Sequence, residues 1–138
     1  MKTLHTSFLF SFLLVCSITA FAQNQQTLNA KQFSEKLKQN PNAVLLDVRT
    51  PVEFKENHLA GARNINWFGK DFDKQISEIN KKQPLFVYCL SGGRSEEAAT
   101  KLRKEGFQNV YELDGGIAAW KDAKMPVTNG KQKTLKKK

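Results

Sequence analysis

Three short, mostly apolar runs punctuate the chain: Val44-Leu45-Leu46, Leu85-Phe86-Val87-Tyr88 and Val110-Tyr111-Glu112-Leu113. None alternates cleanly between apolar and polar residues, so each reads as a strand covered on both faces, the situation of a parallel sheet. Helical patterns lie between them. Strand-helix alternation of this kind predicts an α/β fold, with helices on both faces of a mainly parallel sheet. Functional sites in such sheets lie beyond the carboxyl ends of the strands.

The connecting segments carry their own signals. Asn29 caps a helix bearing Phe33 and Leu37, which ends near Asn40-Pro41 because the residue before proline avoids the helical region. Thr50-Pro51-Val52-Glu53 is a helix start, with Thr50 at the cap, Pro51 at the first position and Glu53 closing a capping box. Gly61 ends that helix, and 62–65 reads as a short strand. Residues 71–80 read as a helix with Phe72, Ile76 and Ile79 on one face and Lys81-Lys82 at its negative end. The run ending at Tyr88 leads into Cys89 and then a helix whose inner face carries Ala98, Ala99 and Leu102. Gly106 suits the left-handed position after it, with Phe107 packing back. Asp114-Gly115-Gly116 reads as a turn and helix cap before Ile117 and Trp120.

The two ends differ from the middle. Met1-Lys2, the apolar stretch from Phe8 to Val15, and Ala20-Phe21-Ala22 have the layout of a secretory signal peptide over 1–22. The apolar stretch is shorter than the ~20 residues a membrane span needs. The expectation is an exported protein, periplasmic or secreted, with no stable membrane insertion after cleavage. An anchor acylated at Cys16 is the minor alternative, since Val15 is a poor fit to the small residue required there. The folded domain is placed at 23–128 and a Lys-rich, solvated tail at 129–138. Export also argues against nucleic acid as partner, despite a formal charge of +9. After cleavage, Cys89 is the sole cysteine and His58 the sole histidine, which excludes an internal disulfide and an ordinary structural zinc site.

A lone thiol in an oxidising compartment is either buried or present for its chemistry. The loop Cys89-Leu90-Ser91-Gly92-Gly93-Arg94-Ser95 points to chemistry. Gly92 and Gly93 permit unusual backbone angles and leave amide N–H groups free to converge on one bowl. The following helix turns its positive end to the same bowl. Arg94 adds a permanent charge. Together they favour the thiolate and can hold an anion above the sulfur: an incoming donor, or the terminal sulfur of a persulfide. Nothing places His58, the one candidate base, near Cys89. Asp47 and Arg49 sit at a strand end beside this site as possible loop support. Local tethering is the preferred reading, with an Asp47–Arg94 pair as the alternative. Glu53 is read as a helix cap, and Trp67 and Trp120 as packing residues.

Three segments, in order, resemble the rhodanese-like domain family. They are Leu46-Asp47-Val48-Arg49-Thr50-Pro51-Val52-Glu53-Phe54 running on through His58 to Ile65, the Cys89–Ser95 loop, and Leu113-Asp114-Gly115-Gly116-Ile117 with Trp120 and Pro126-Val127. The resemblance implies a sheet of about five strands. It further implies a sulfurtransferase in which Cys89 takes a sulfane sulfur from a donor such as thiosulfate. Cyanide or a thiol then accepts that sulfur. The amides of Leu90, Ser91, Gly92, Gly93, Arg94 and Ser95 would stabilise the sulfur anion, and Arg94 would bind an anionic donor. No metal or organic cofactor is implied. A persulfide carrier or a non-catalytic module serving a partner protein is the alternative. Cysteine phosphatases and arsenate reductases of similar fold use a loop one residue longer, which argues against those chemistries. The family commonly has glycine where this chain has Asn57.

Overall fold

A computed structural model describes residues 26–130. Five strands and five helices alternate: β1 (Thr27–Leu28), α1 (Ala30–Lys38), β2 (Val44–Asp47), α2 (Pro51–Glu56), β3 (Arg63–Asn64), α3 (Phe72–Ser77), β4 (Leu85–Tyr88), α4 (Gly93–Lys104), β5 (Val110–Leu113) and α5 (Gly116–Asp122). The strands form one sheet in the order β1-β5-β4-β2-β3, and every pair is parallel. The mainly parallel α/β sheet expected from the sequence is therefore present; residues 1–22, expected to be a signal peptide, and residues 131–138 of the expected 129–138 tail lie outside the described residues.

Successive side chains of a strand point to opposite faces, so each central strand feeds two cores. On one face, Leu46, Val48, Leu85, Val87 and Cys89 pack with Phe72 and Ile76 of α3 and Ala98, Ala99 and Leu102 of α4. On the other, Leu45, Phe86, Tyr88, Tyr111 and Leu113 pack with Phe33 of α1 and Ile117 and Trp120 of α5. Phe33 meets Phe86 edge-on at 5.2 Å and Trp120 at 6.4 Å between ring centroids. β4 is buried at all four positions because strands flank it on both edges and helices cover both faces.

Helix ends follow the local chemistry. Asn29 Oδ1 accepts from Gln32 N at 3.0 Å and Gln32 Oε1 from Asn29 N at 3.1 Å, a reciprocal cap. Gly106 takes φ +94° after α4, and Phe107 N donates to Leu102 O at 3.2 Å. Two elements are shorter than expected. The 71–80 helix is regular only over Phe72–Ser77, because Ile79 N donates to Ile76 O, a tightened turn. The 62–65 strand is regular only over Arg63–Asn64, although Ile65 N still donates to Asp47 O at 3.0 Å. β1 has no counterpart in the sequence reading. A two-residue strand has no periodicity to detect, and its place comes from pairing with Glu112 and Leu113.

Candidate active site

Five connections leave the carboxyl edge of the sheet, one after each strand. Cys89 opens the one after β4, the central strand. Its residue is 1% exposed. Sγ accepts from Gly92 N at 3.1 Å and lies 3.4 Å from Ser95 Oγ. That hydroxyl has a single proton, and Gly92 O at 2.9 Å competes for it. Burial pushes the Cys89 thiol up. Hydrogen bonds from the Ser95 hydroxyl and from the amides of Ser95, Gly92 and Ser91 outweigh burial and leave the thiol more acidic than a free one. Gly92 takes φ +114°, a region that L side chains avoid, and this turn aims its N–H at the sulfur. α4 begins at the next residue, so its amino end lies beside Sγ.

The outer strut of the loop is α5. Ile117 N donates to Cys89 O at 2.9 Å, and Ala118 N donates to Leu90 O at 3.1 Å. Gly116 makes this approach possible: it has φ +61°, and a Cβ there would lie 2.5 Å from Cys89 O and 2.6 Å from Leu90 O. Reading Asp114-Gly115-Gly116 as a turn and cap is correct as far as it goes, but it misses this contact with the cysteine loop.

The charged residues pair differently from one of the alternatives above. Asp47 does not pair with Arg94. Its Oδ2 receives Arg49 Nη2 at 2.7 Å and its Oδ1 receives Arg49 N at 2.9 Å, with both side chains almost fully buried. Arg49 also donates to Asn57 O at 2.6 Å, and Asn64 Nδ2 donates to Asp47 O and Arg49 O at 3.0 and 2.8 Å. Local tethering, the preferred reading for Asp47 and Arg49, describes this network. Tyr88 lies beneath it. Its hydroxyl accepts from Leu59 N at 3.0 Å, and burial followed by the neighbouring Asp47 charge pushes the phenol well up.

Arg94 reaches instead to Glu53 on α2, with Nη1–Oε2 and Nη2–Oε1 both at 2.8 Å. Glu53 does cap α2 as expected, its Oε2 accepting from Thr50 N at 2.9 Å. It also clamps α2 to the cysteine loop, which the sequence reading did not include. The Arg94 hydrogen bonds hold its carboxyl down to about 2. Asn57 takes φ −166°, extended backbone that does not require glycine, although its Oδ1 is buried without a hydrogen-bond partner. His58 is stacked on Phe54 at 3.8 Å, its Nδ1 lies 2.8 Å from Phe54 O, and its backbone pairs with Thr128. None of these partners belongs to the Cys89 loop, and they give His58 a structural role. Trp67 packs edge-on against Phe72 at 5.0 Å, and Trp120 Nε1 donates to Pro126 O at 2.9 Å, consistent with packing roles.

Among the described residues, three large apolar side chains are exposed: Val52, Phe68 and Leu90. They stand on or beside the connections after β2, β3 and β4, at the edge that holds Cys89. Also among the described residues, no group of three or more His, Cys, Asp or Glu side chains is arranged to hold a metal, and no helix is long and apolar enough to cross a membrane.

Comparison with known proteins bears on this arrangement. Residues 29–123 match the family model described as the rhodanese-like domain. The chain is 39% identical over 83 residues to the thiosulfate sulfurtransferase GlpE of Stutzerimonas stutzeri, covering 59% of this chain and 73% of that protein. It is 32% identical over 117 residues to a tRNA uridine(34) hydroxylase of Chlamydia caviae, covering 80% of this chain and 34% of that longer protein. The crystal structure of a rhodanese-related protein from Thermoplasma volcanium superposes with a TM-score of 0.66 at 27% identity, covering 75% of this chain and 97% of that one.

Proposed function

Because the chain belongs to the rhodanese-like domain family, we propose that it is a sulfurtransferase that carries sulfur on Cys89. The observation that carries this reading is the acidified, hydrogen-bonded Cys89 sulfur at the end of β4, inside a ring of amides. The thiolate attacks the outer sulfur of a donor such as thiosulfate. A new S–S bond forms to Cys89, the donor's S–S bond breaks, and sulfite leaves with the electron pair. The product, Cys89–S–S⁻, carries its charge on the terminal sulfur, where loop amides and the Ser95 hydroxyl can stabilise it. An acceptor, cyanide or a thiolate, then attacks that sulfur, and the Cys89 thiolate is released. Each step conserves charge and needs no redox cofactor. We also propose that the protein works after export, with residues 1–22 removed.

Intact mass tests both proposals. Thiosulfate should add one sulfur atom and cyanide should remove it, and Cys89→Ala should show neither change. The mass of the exported protein should begin at Gln23. A free thiol that gains no sulfur from thiosulfate or from a persulfide would refute the reading.

A second version has support from the exposed side chains of Val52, Phe68 and Leu90, which give the site an apolar rim. Such a rim suits an acceptor thiol carried on a protein better than cyanide. In that case transfer to a reduced protein thiol outpaces transfer to cyanide, and Phe68→Ser slows only the former. Equal effects of Phe68→Ser on both acceptors would count against it.

A further inference from the structure

Arg94 is the cation of the Cys89 loop, but its charge is already engaged. Both terminal nitrogens face Glu53, each at 2.8 Å from one carboxylate oxygen. Glu53 is itself held in place: Oε2 also accepts from Thr50 N at 2.9 Å and from Thr50 Oγ1 at 2.8 Å. Arg49, another cation at this edge, is spent on buried Asp47. Two guanidinium groups at this edge of the sheet are therefore each neutralised by a carboxylate. The Glu53–Arg94 pair is not sealed off, with side chains 27% and 21% exposed. Arg94 is close enough to Cys89 for the two charges to interact.

The charge of the donor therefore matters. Thiosulfate is a dianion that arrives with three sulfonate oxygens, and its natural ligand here is the Arg94 fork that Glu53 occupies. To use it, the donor must displace a carboxylate anchored by Thr50, or sit beside that carboxylate and repel it. A persulfide, R–S–S⁻, brings one charge on a single sulfur. The amides of the loop and the Ser95 hydroxyl can receive that charge without Arg94. Transfer then balances simply: the R–S⁻ group leaves with the electron pair as the outer sulfur bonds to Cys89.

We infer that Glu53 sets donor preference: by occupying Arg94 it disfavours dianionic sulfur donors and biases the site towards monoanionic persulfides. The inference rests on the sulfur-transfer reading given above. Glu53 acts through Arg94 and is a positioning residue.

Glu53→Gln isolates the charge, because glutamine at this position also closes a capping box. The KM for thiosulfate should fall about three- to tenfold, the scale on which a partly exposed ion pair acts. The kcat, and the KM for 2-hydroxyethyl persulfide, a monoanion, should stay within about twofold. A merely structural Glu53 predicts the opposite sign, with a higher KM and lower kcat for both donors. A binding measurement without turnover separates the two proposals: calorimetric titration of inorganic thiosulfate into Cys89→Ala, with and without Glu53→Gln. Tighter binding by the double variant supports donor selection even if the native chain transfers no sulfur, in which case the sulfur-transfer reading alone fails. Equal or weaker binding overturns the inference. Should the glutamine hold Arg94 as firmly as glutamate does, Glu53→Ala removes both charge and acceptor, and the same binding criterion applies.

Discussion

Gly116→Ala probes how the cysteine loop is held. Two costs can be separated. At φ +61° an L residue is disfavoured by about 1–2 kcal/mol, partly offset by the ~0.4–1 kcal/mol gained from a stiffer unfolded chain. The new methyl group would also lie 2.5 Å from Cys89 O and 2.6 Å from the carbonyl carbon and oxygen of Leu90. These are backbone atoms and cannot rotate away, so α5 and the loop must separate. Overpacking of this kind adds about 1–3 kcal/mol. Gly61 supplies the control, with φ +81° and nothing within 4 Å of its built Cβ. Gly61→Ala should thus cost about 1 kcal/mol, and Gly116→Ala about 2–4 kcal/mol. Urea unfolding followed by tryptophan fluorescence measures both. The Gly116 variant should also weaken the bonds from Ile117 N and Ala118 N that fix Cys89 and Leu90. Its Cys89 alkylation profile should then move to higher pH, while that of Gly61→Ala stays in place. Equal stabilities for the two variants, with unchanged thiol reactivity, would refute the claim that α5 braces the loop.

Ser95→Ala removes the hydroxyl 3.4 Å from Sγ, so the inflection of iodoacetamide labelling against pH should rise towards that of a free thiol, and an unmoved inflection would mean that the amides suffice. Asp47→Ala leaves Arg49, 3% exposed, without its counterion and should cost about 3–5 kcal/mol in urea unfolding; a loss below about 1 kcal/mol would show that water replaces the carboxylate. Glu53 has a carboxyl depressed from 4.5 to about 2, so its ion pair contributes fully above pH 4.5 and is lost as pH falls through about 2. The stability gap between the native chain and Glu53→Gln should accordingly close over that window, and a gap independent of pH would contradict the pairing.

Much of the fold was legible because its signals are local. A cap needs residues three apart: Thr50–Glu53 closes as its spacing indicates, and Asn29 caps α1 as expected, with Gln32 as a partner that the sequence reading does not name. A strand covered on both faces needs only an apolar run, and Leu85–Tyr88 is buried throughout. The cysteine loop is likewise a contiguous stretch, and its glycine turn and helix start arise within it. The rest depends on contacts between distant residues. Glu53 and Arg94 are 41 positions apart and meet because β2 and β4 are neighbours in register, which brings the starts of α2 and α4 together. Gly116 touches Cys89 because β5 lies beside β4, and β1 exists through its pairing with β5. Residue spacing encodes what a segment does within its own turn or strand. Which carboxylate neutralises Arg94, and so which charge a donor meets, is decided by strand order, since that alone determines which connections share the edge above the sulfur.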